Sequence, residues 1–167
     1  MSDIIRMQAV SVIPINAEGK ILLQLRDDRP DINYPNCWTI FGGAVESNET
    51  PDQAIQRKLL ENIEFELPLR LWKVQTIPIK LNGQSMIVES YTYVGFIDRD
   101  TPEIKLNKGQ TLDYFGPEDL DDLKIGFNFA KLFREFFAAL ADGKLFVEIN
   151  DHIHLKTELT RSLYINN

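Results

Sequence analysis

Apolar and polar positions alternate in short runs along most of this chain, and the runs are separated by turn residues. Ala9 to Pro14, AVSVIP, reads as an extended run, and Lys20 to Arg26, KILLQLR, as a second strand; Asn16 to Gly19 supplies a turn that joins them as a hairpin. Residues 27 to 37, DDRPDINYPNC, hold two prolines and several Asp and Asn, so they cannot continue a strand and predict a loop. Trp38 to Phe41 predicts a further strand, ended by Gly42 and Gly43. A helix follows with clear start signals. Thr50 can cap it, Pro51 suits its first position and Gln53 stands three residues after the cap. Ala54, Ile55, Leu59 and Ile63 recur at helical spacing and form one apolar side, and the helix is expected to end near Ile63. Lys58, Glu61 and Asn62 share the opposite side, with Arg57 at its edge and four residues from Glu61, close enough to pair.

Leu71 to Lys80 and Ser85 to Ile97 predict two long strands joined at Asn82-Gly83, a strong hairpin signal. In the second, Val88, Ser90, Thr92 and Val94 share one face, and Ile87, Glu89, Tyr91, Tyr93 and Gly95 the other. Residues 98 to 110 are polar, with room for a short strand around Ile104 to Leu106. Gly116-Pro117 opens a helical turn whose acidic group EDLDD reads as a solvated face. Phe129, Phe133, Phe136, Phe137 and Leu140 give a second amphipathic helix that Gly143 is placed to stop; this aromatic stripe reads as core packing rather than a ligand box. The order predicts an α/β chain of the α+β kind, a mixed β-sheet with helices packed against it. One domain is expected over residues 1–143. Residues 144–167 are expected to be a C-terminal extension whose VEI and HIHL stretches suit an edge strand or a dimer contact. His152 and His154 would share a strand face there; with no third ligand evident, a surface strand is favoured over a metal pair.

Composition narrows the function. With 167 residues and 44% hydrophobic content, the chain can build one substantial core. A formal charge of −7 disfavours nonspecific nucleic-acid binding, and no Lys/Arg cluster stands beside stacking aromatics. Cys37 is alone, which fits a reducing compartment; it reads as a packed small residue beside Trp38 rather than a nucleophile. No stretch resembles a signal peptide or approaches a membrane span, so a cytoplasmic protein with no membrane partner is expected.

The order strand, FGG, acidic loop and TP-capped helix resembles the Nudix hydrolases, whose box is usually G, five residues, E, seven residues, REUxEExGU, with U bulky and apolar. Gly43 fits the first glycine, Glu49 the first acid, Arg57 the arginine, Leu59 an apolar position, Glu61 one acid and Phe65 the final apolar position. Three positions depart: Lys58 and Asn62 stand where acids are usual, and Glu64 where glycine is usual. The likeness covers roughly residues 5 to 141, and implies a Nudix-like mixed β-sheet packed between helices.

The resemblance implies hydrolysis of a diphosphate linkage, with Mg2+ or Mn2+ held by acids of the box helix and a carbonyl of the glycine turn. A divalent cation offsets negative oxygens, stabilises transition-state charge and lowers the pKa of attacking water. On that basis the metal ligands are Glu61, Glu46 and the carbonyl of Gly43 or Gly42, and Glu49 orients Arg57. The rival role for Glu46 is plain solvent exposure. Arg26, Arg29, Lys58 and Lys108 are candidates for phosphate contacts, and Tyr34, Trp38 or Tyr114 for covering a base or sugar. Lys108 replaces an acid usual before the glycine that Gly109 resembles, which leaves Glu103, Asp113 and Glu89 as alternatives for a general base. Lys58 has three readings: it repels a metal, binds a phosphate oxygen itself, or points to water. Asn62 offers only a weaker, neutral ligand.

Two function classes lead. One is divalent-metal-dependent hydrolysis of a nucleotide-sugar or other nucleoside diphosphate derivative. The other is a Nudix-like domain that binds a nucleotide or a partner protein without cleaving it. An interaction module that forms a homodimer through residues 145–167 is a third. The acidic charge favours a small diphosphate over RNA.

Overall fold

The computed structural model describes residues 4–98 and 100–143. The order is β1 (Ile5–Asn16), β2 (Ile21–Leu25), β3 (Trp38–Thr39), β4 (Phe41–Ala44), α1 (Pro51–Ile63), β5 (Leu69–Leu81), β6 (Gln84–Ile97), β7 (Thr111–Phe115), a 3-10 turn (Pro117–Asp122) and α2 (Phe129–Ala141). One mixed sheet runs β3-β2-β1-β6-β5, with β4 paired to β1 and β7 to β2. β1 and β6 pair in parallel over twelve positions, from Ile5 beside Met86 to Asn16 beside Ile97. β5 and β6 form the expected hairpin, closed by Asn82 and Gly83, both at positive φ.

Alternation along the strands sorts the apolar residues onto two faces. Val10 and Val12 of β1, with Tyr93 of β6, face α1, where Ala54, Ile55, Leu59 and Ile63 are buried. Ile13 and Ile15, with Val94, face α2 and meet Leu132, Phe133, Phe136 and Phe137. Both apolar stripes expected from spacing are therefore core. Each fully buried Phe or Leu side chain contributes about 1.5–3 kcal/mol by burial alone. The acidic turn is partly solvated as expected: Asp121 pairs with Arg134 at 2.8 Å, while Leu120 is buried.

Three local expectations change, and a fourth falls on residues that the structure does not describe. β1 is longer than Ala9 to Pro14, because residues from Ile5 onward find partners on β6. The Trp38 strand does not end at the glycines. It breaks at Ile40, pairs with β2 before the break and with β1 after it, and carries Gly42 and Gly43 inside β4. A Cβ on Gly42 would lie 2.2 Å from the Val10 carbonyl oxygen, so glycine is what lets these backbones meet. No strand forms around Ile104 to Leu106; the strand is Thr111–Phe115, created by pairing with β2. Residues 144–167, with the expected edge strand and His152 and His154, lie outside the described residues.

Candidate functional site

α1 begins as its sequence dictates. Gln53 N–H donates to Thr50 Oγ1 at 3.2 Å, and Thr50 N–H donates to Gln53 Oε1 at 2.9 Å, a complete capping box. The helix ends at Glu64, which takes left-handed φ 53, so the position where the resembling family has glycine does require that conformation. Asn107 secures the same end: its backbone N–H donates to Asn62 O at 2.7 Å and its side-chain amide to Glu61 O at 3.3 Å.

Arg57 organises the acidic residues. Its guanidinium grips Glu49 with two bonds, Nε to Oε2 at 3.1 Å and Nη2 to Oε1 at 2.6 Å. Nη2 also donates to the Ala44 carbonyl at 3.1 Å, and Nη1 donates to Glu61 Oε1 at 3.1 Å and lies 3.6 Å from Glu46 Oε1. Glu49 Oε1 in turn accepts the Glu46 N–H at 2.8 Å. The end of β4, the acidic loop and α1 are thus pinned through one side chain. The two bonds from Arg57 hold the Glu49 carboxyl below the usual range, and the Glu46 N–H adds to the effect. The Arg57 bond, then the Lys58 charge, lower Glu61 in the same way. Arg57 is correspondingly raised and stays charged.

Lys58 does not extend into water. Its side chain is 25% exposed and crosses Gly43, where an added Cβ would fall 2.4 Å from Lys58 Cε and 3.0 Å from Nζ. Nζ lies 3.3 Å from Glu61 Oε2. Asn62 turns its amide back onto its own helix, Nδ2 donating to Lys58 O at 2.7 Å.

This donor set does not fit a divalent cation. Both Glu61 oxygens are engaged by cationic side chains, and an ammonium lies against the glycine whose carbonyl was the expected third ligand. Three carboxylates, Glu46, Glu49 and Glu61, face two cations, which leaves one net negative charge where a hard doubly charged ion needs several free oxygens. Among the described residues, no group of three or more His, Cys, Asp or Glu is arranged to hold a metal.

The other candidates fall elsewhere. Arg26 is tied into the 27–37 loop, its Nε donating to Asn33 O at 2.9 Å and its guanidinium stacked 5.4 Å from the Phe127 ring. Tyr34 sits in the same cluster, 4.5 Å from Phe127, and both residues have positive φ. Arg29 pairs with Asp31 on the surface at 3.1 Å. Lys108 is exposed, next to the Asn107 anchor on α1. Trp38 packs edge-on against Phe115 at 4.8 Å, and Cys37 is buried, as the packing readings expected. Glu103 and Asp113 line a separate cavity of about 450 Å³ with Asn16, Glu18 and Tyr114. Glu89 shares the α1 face of the sheet and bonds Gln8 and the Tyr91 hydroxyl, which holds its carboxyl ionised. Asn107 and the Ala44 carbonyl escaped the sequence reading; a polar residue beside Lys108 was the sole hint of the first.

Among the described residues, no helix is long and apolar enough to cross a membrane. A family model described as the NUDIX domain matches residues 5–136. The chain is 26% identical over 93 residues to an RNA pyrophosphohydrolase of Gluconacetobacter diazotrophicus, a match covering 51% of this chain and little more than half, 56%, of that relative. The MutT protein of Methanosarcina mazei Go1 superposes with a TM-score of 0.63 at 16% identity, over 81% of this chain and 96% of that one. The NUDIX domain of Shewanella oneidensis NrtR, solved in complex with ADP ribose, gives 0.61 at 16% identity, over 84% and 90%. These likenesses concern the fold, and they agree with the mixed sheet and helix placement described above. On the extent of the family match, the chain belongs to the NUDIX domain family.

Proposed function

We propose that this domain recognises a small nucleoside diphosphate derivative at the face built by β4 and α1, with the Lys58 ammonium meeting diphosphate oxygens, and that it sustains at most residual metal-dependent hydrolysis. One observation carries the reading: Lys58 lies across Gly43 and pairs with Glu61. A lysine there is a compact point charge on a flexible stem. To reach a phosphate it exchanges one partially exposed partner, Glu61, for another, and such pairs are worth only about 0–1 kcal/mol. Arg57 stays committed to Glu49 and keeps the loop in place. The ligand class draws support from family membership and from the ADP ribose bound by the Shewanella domain. The net charge of −7 favours a small ligand over RNA, although a curated relative is named for RNA.

A second reading, hydrolysis of the diphosphate linkage aided by Mg2+ or Mn2+, draws on family membership and requires Glu61 to exchange Arg57 and Lys58 for the metal. Arg57 gathers Glu46 and Glu61 at 3.6 and 3.1 Å, and its Nη2 donates to the Ala44 carbonyl at 3.1 Å. A product screen over nucleoside diphosphate derivatives, with Mg2+ or Mn2+, separates the two. The first reading expects turnover near background, rising at least tenfold in the double variant Lys58→Glu, Asn62→Glu. Strong turnover by the unaltered chain, abolished by Glu61→Gln, would establish the second.

A further inference from the structure

Among the described residues, six other than glycine take positive φ. Three are asparagines, which tolerate that conformation, and Glu64 ends α1. The other two, Tyr34 at φ 50 and Phe127 at φ 58, are bulky aromatics, for which this backbone is strained. They lie far apart in the chain, yet their rings meet at 4.5 Å between centroids, tilted by 42°. Core packing does not repay the strain, because Tyr34 is 48% and Phe127 41% exposed. Strained backbone that holds a pair of rings at the surface points to a role in binding.

The surrounding chain fixes both rings. A Cβ on Gly126 would fall 3.2 Å from Tyr34 Cβ and 3.3 Å from Cys37 Cβ, so glycine lets the two segments touch. Trp38 N–H donates to Lys124 O at 2.8 Å and Gly126 N–H to Trp38 O at 2.9 Å, so Phe127 follows directly from a segment tied to β3. Arg26, held by Asn33 O, places its guanidinium 5.4 Å from the Phe127 ring. The result is an exposed aromatic surface with a cation beside it.

Loop 107–110 links this surface to the Lys58 face. Asn107 is bonded to the Asn62 and Glu61 carbonyls at the end of α1. Gln110 Nε2 donates to Arg26 O at 2.8 Å and to Asn36 Oδ1 at 3.0 Å. Three residues span at most about 11 Å, so the two anchor points are close neighbours. Of the three aromatics considered for a base or sugar, Trp38 packs against Phe115 and Tyr114 lines the separate cavity, whereas Tyr34 is exposed.

We propose that the Tyr34–Phe127 pair is the stacking platform for the base of the nucleoside derivative whose diphosphate meets Lys58. The inference rests on the Lys58 reading for the place of the diphosphate. A nucleobase is planar and presents a π-face to the rings, and such stacking accepts any base. Arg26 adds a cation at the edge of the stack. The platform therefore favours a nucleoside diphosphate over a bare diphosphate without choosing between bases.

Calorimetric titration of the full chain in the presence of a chelator tests this, with inorganic pyrophosphate, ADP, GDP, CDP and UDP as probes. The best nucleoside diphosphate is expected to bind at least tenfold more tightly than pyrophosphate. Tyr34→Leu is expected to remove that margin and leave pyrophosphate affinity unchanged, which also shows that the variant is folded. Tyr34→Phe is expected to keep the margin, because the ring and not the hydroxyl stacks. Should Tyr34→Leu lose pyrophosphate binding as well, Phe127→Leu decides by the same criterion. Absence of the margin in the unaltered chain, or its survival in the leucine variants, would overturn the proposal. Lys58→Ala is expected to weaken every probe at least tenfold. Affinities that do not respond to Lys58→Ala would contradict the Lys58 reading, while the margin still decides the platform. Binding of none of the probes would overturn both.

Discussion

α1 and α2 each span thirteen residues and lie on opposite faces of one sheet, yet they are held by different physics. α2 buries Leu132, Phe133, Phe136 and Phe137 and has no side-chain cap at its start. α1 buries as many but smaller groups, Ala54, Ile55, Leu59 and Ile63, and is fastened by directional bonds: the Thr50–Gln53 box, the Arg57 clamp and the Asn107 contacts. Burial is insensitive to direction, whereas a clamp fixes the orientation of the groups it holds. α2 is therefore the stability element, and α1 the element that presents charges in a set geometry.

That contrast breaks most readily at α2. Phe133→Ala should cost about 3–5 kcal/mol in urea unfolding, because the ring is wholly buried and leaves a cavity. Ligand affinity per folded molecule should not change. On α1, Lys58→Glu with Asn62→Glu should act in the opposite sense. Stability should move little, while Mn2+ binding, measured by paramagnetic relaxation, should tighten at least tenfold, about 1.4 kcal/mol. If the metal binds equally tightly with or without the two acids, the charge argument at Lys58 is wrong.

Smaller effects sharpen the role of the helix ends. Thr50→Ala should cost about 1 kcal/mol by removing half of the capping box. Glu64→Gly should stabilise by up to about 1 kcal/mol, since a non-glycine residue is strained at that left-handed position. The smallest effect is pH-dependent. Glu49 and Glu61 have lowered folded pKa values, so below the ordinary carboxylate value of about 4.3 the unfolded chain binds more protons than the folded one. Their contribution is complete above that value and is lost as pH falls through the depressed folded values. Urea midpoints between pH 3 and 6 should fall with acid, and Glu49→Gln should flatten part of that slope.

What could be read in the sequence was mostly local. The Thr50, Pro51 and Gln53 start of α1, the apolar sides of both helices and the Asn82-Gly83 hairpin depend on neighbours within a few residues. The Glu49–Arg57 pair came from family likeness and is present in the structure as two bonds. β7 was missed because TLDYF is short, and its strand character comes from pairing with β2, far away in sequence. The break at Ile40 was missed for the same reason: it marks a change of partner strand. Lys58 itself was noted, with water, phosphate and metal repulsion all open. Its position over Gly43 is a tertiary contact between a helix and a strand, which helical spacing does not encode.

Calorimetric titration of ADP ribose in the presence of a chelator, for the unaltered chain and for Lys58→Ala, tests the central claim most directly. The account predicts binding that survives removal of divalent metal and weakens at least tenfold in the variant. Binding that requires Mg2+ or Mn2+ and is undiminished without Lys58 would contradict it.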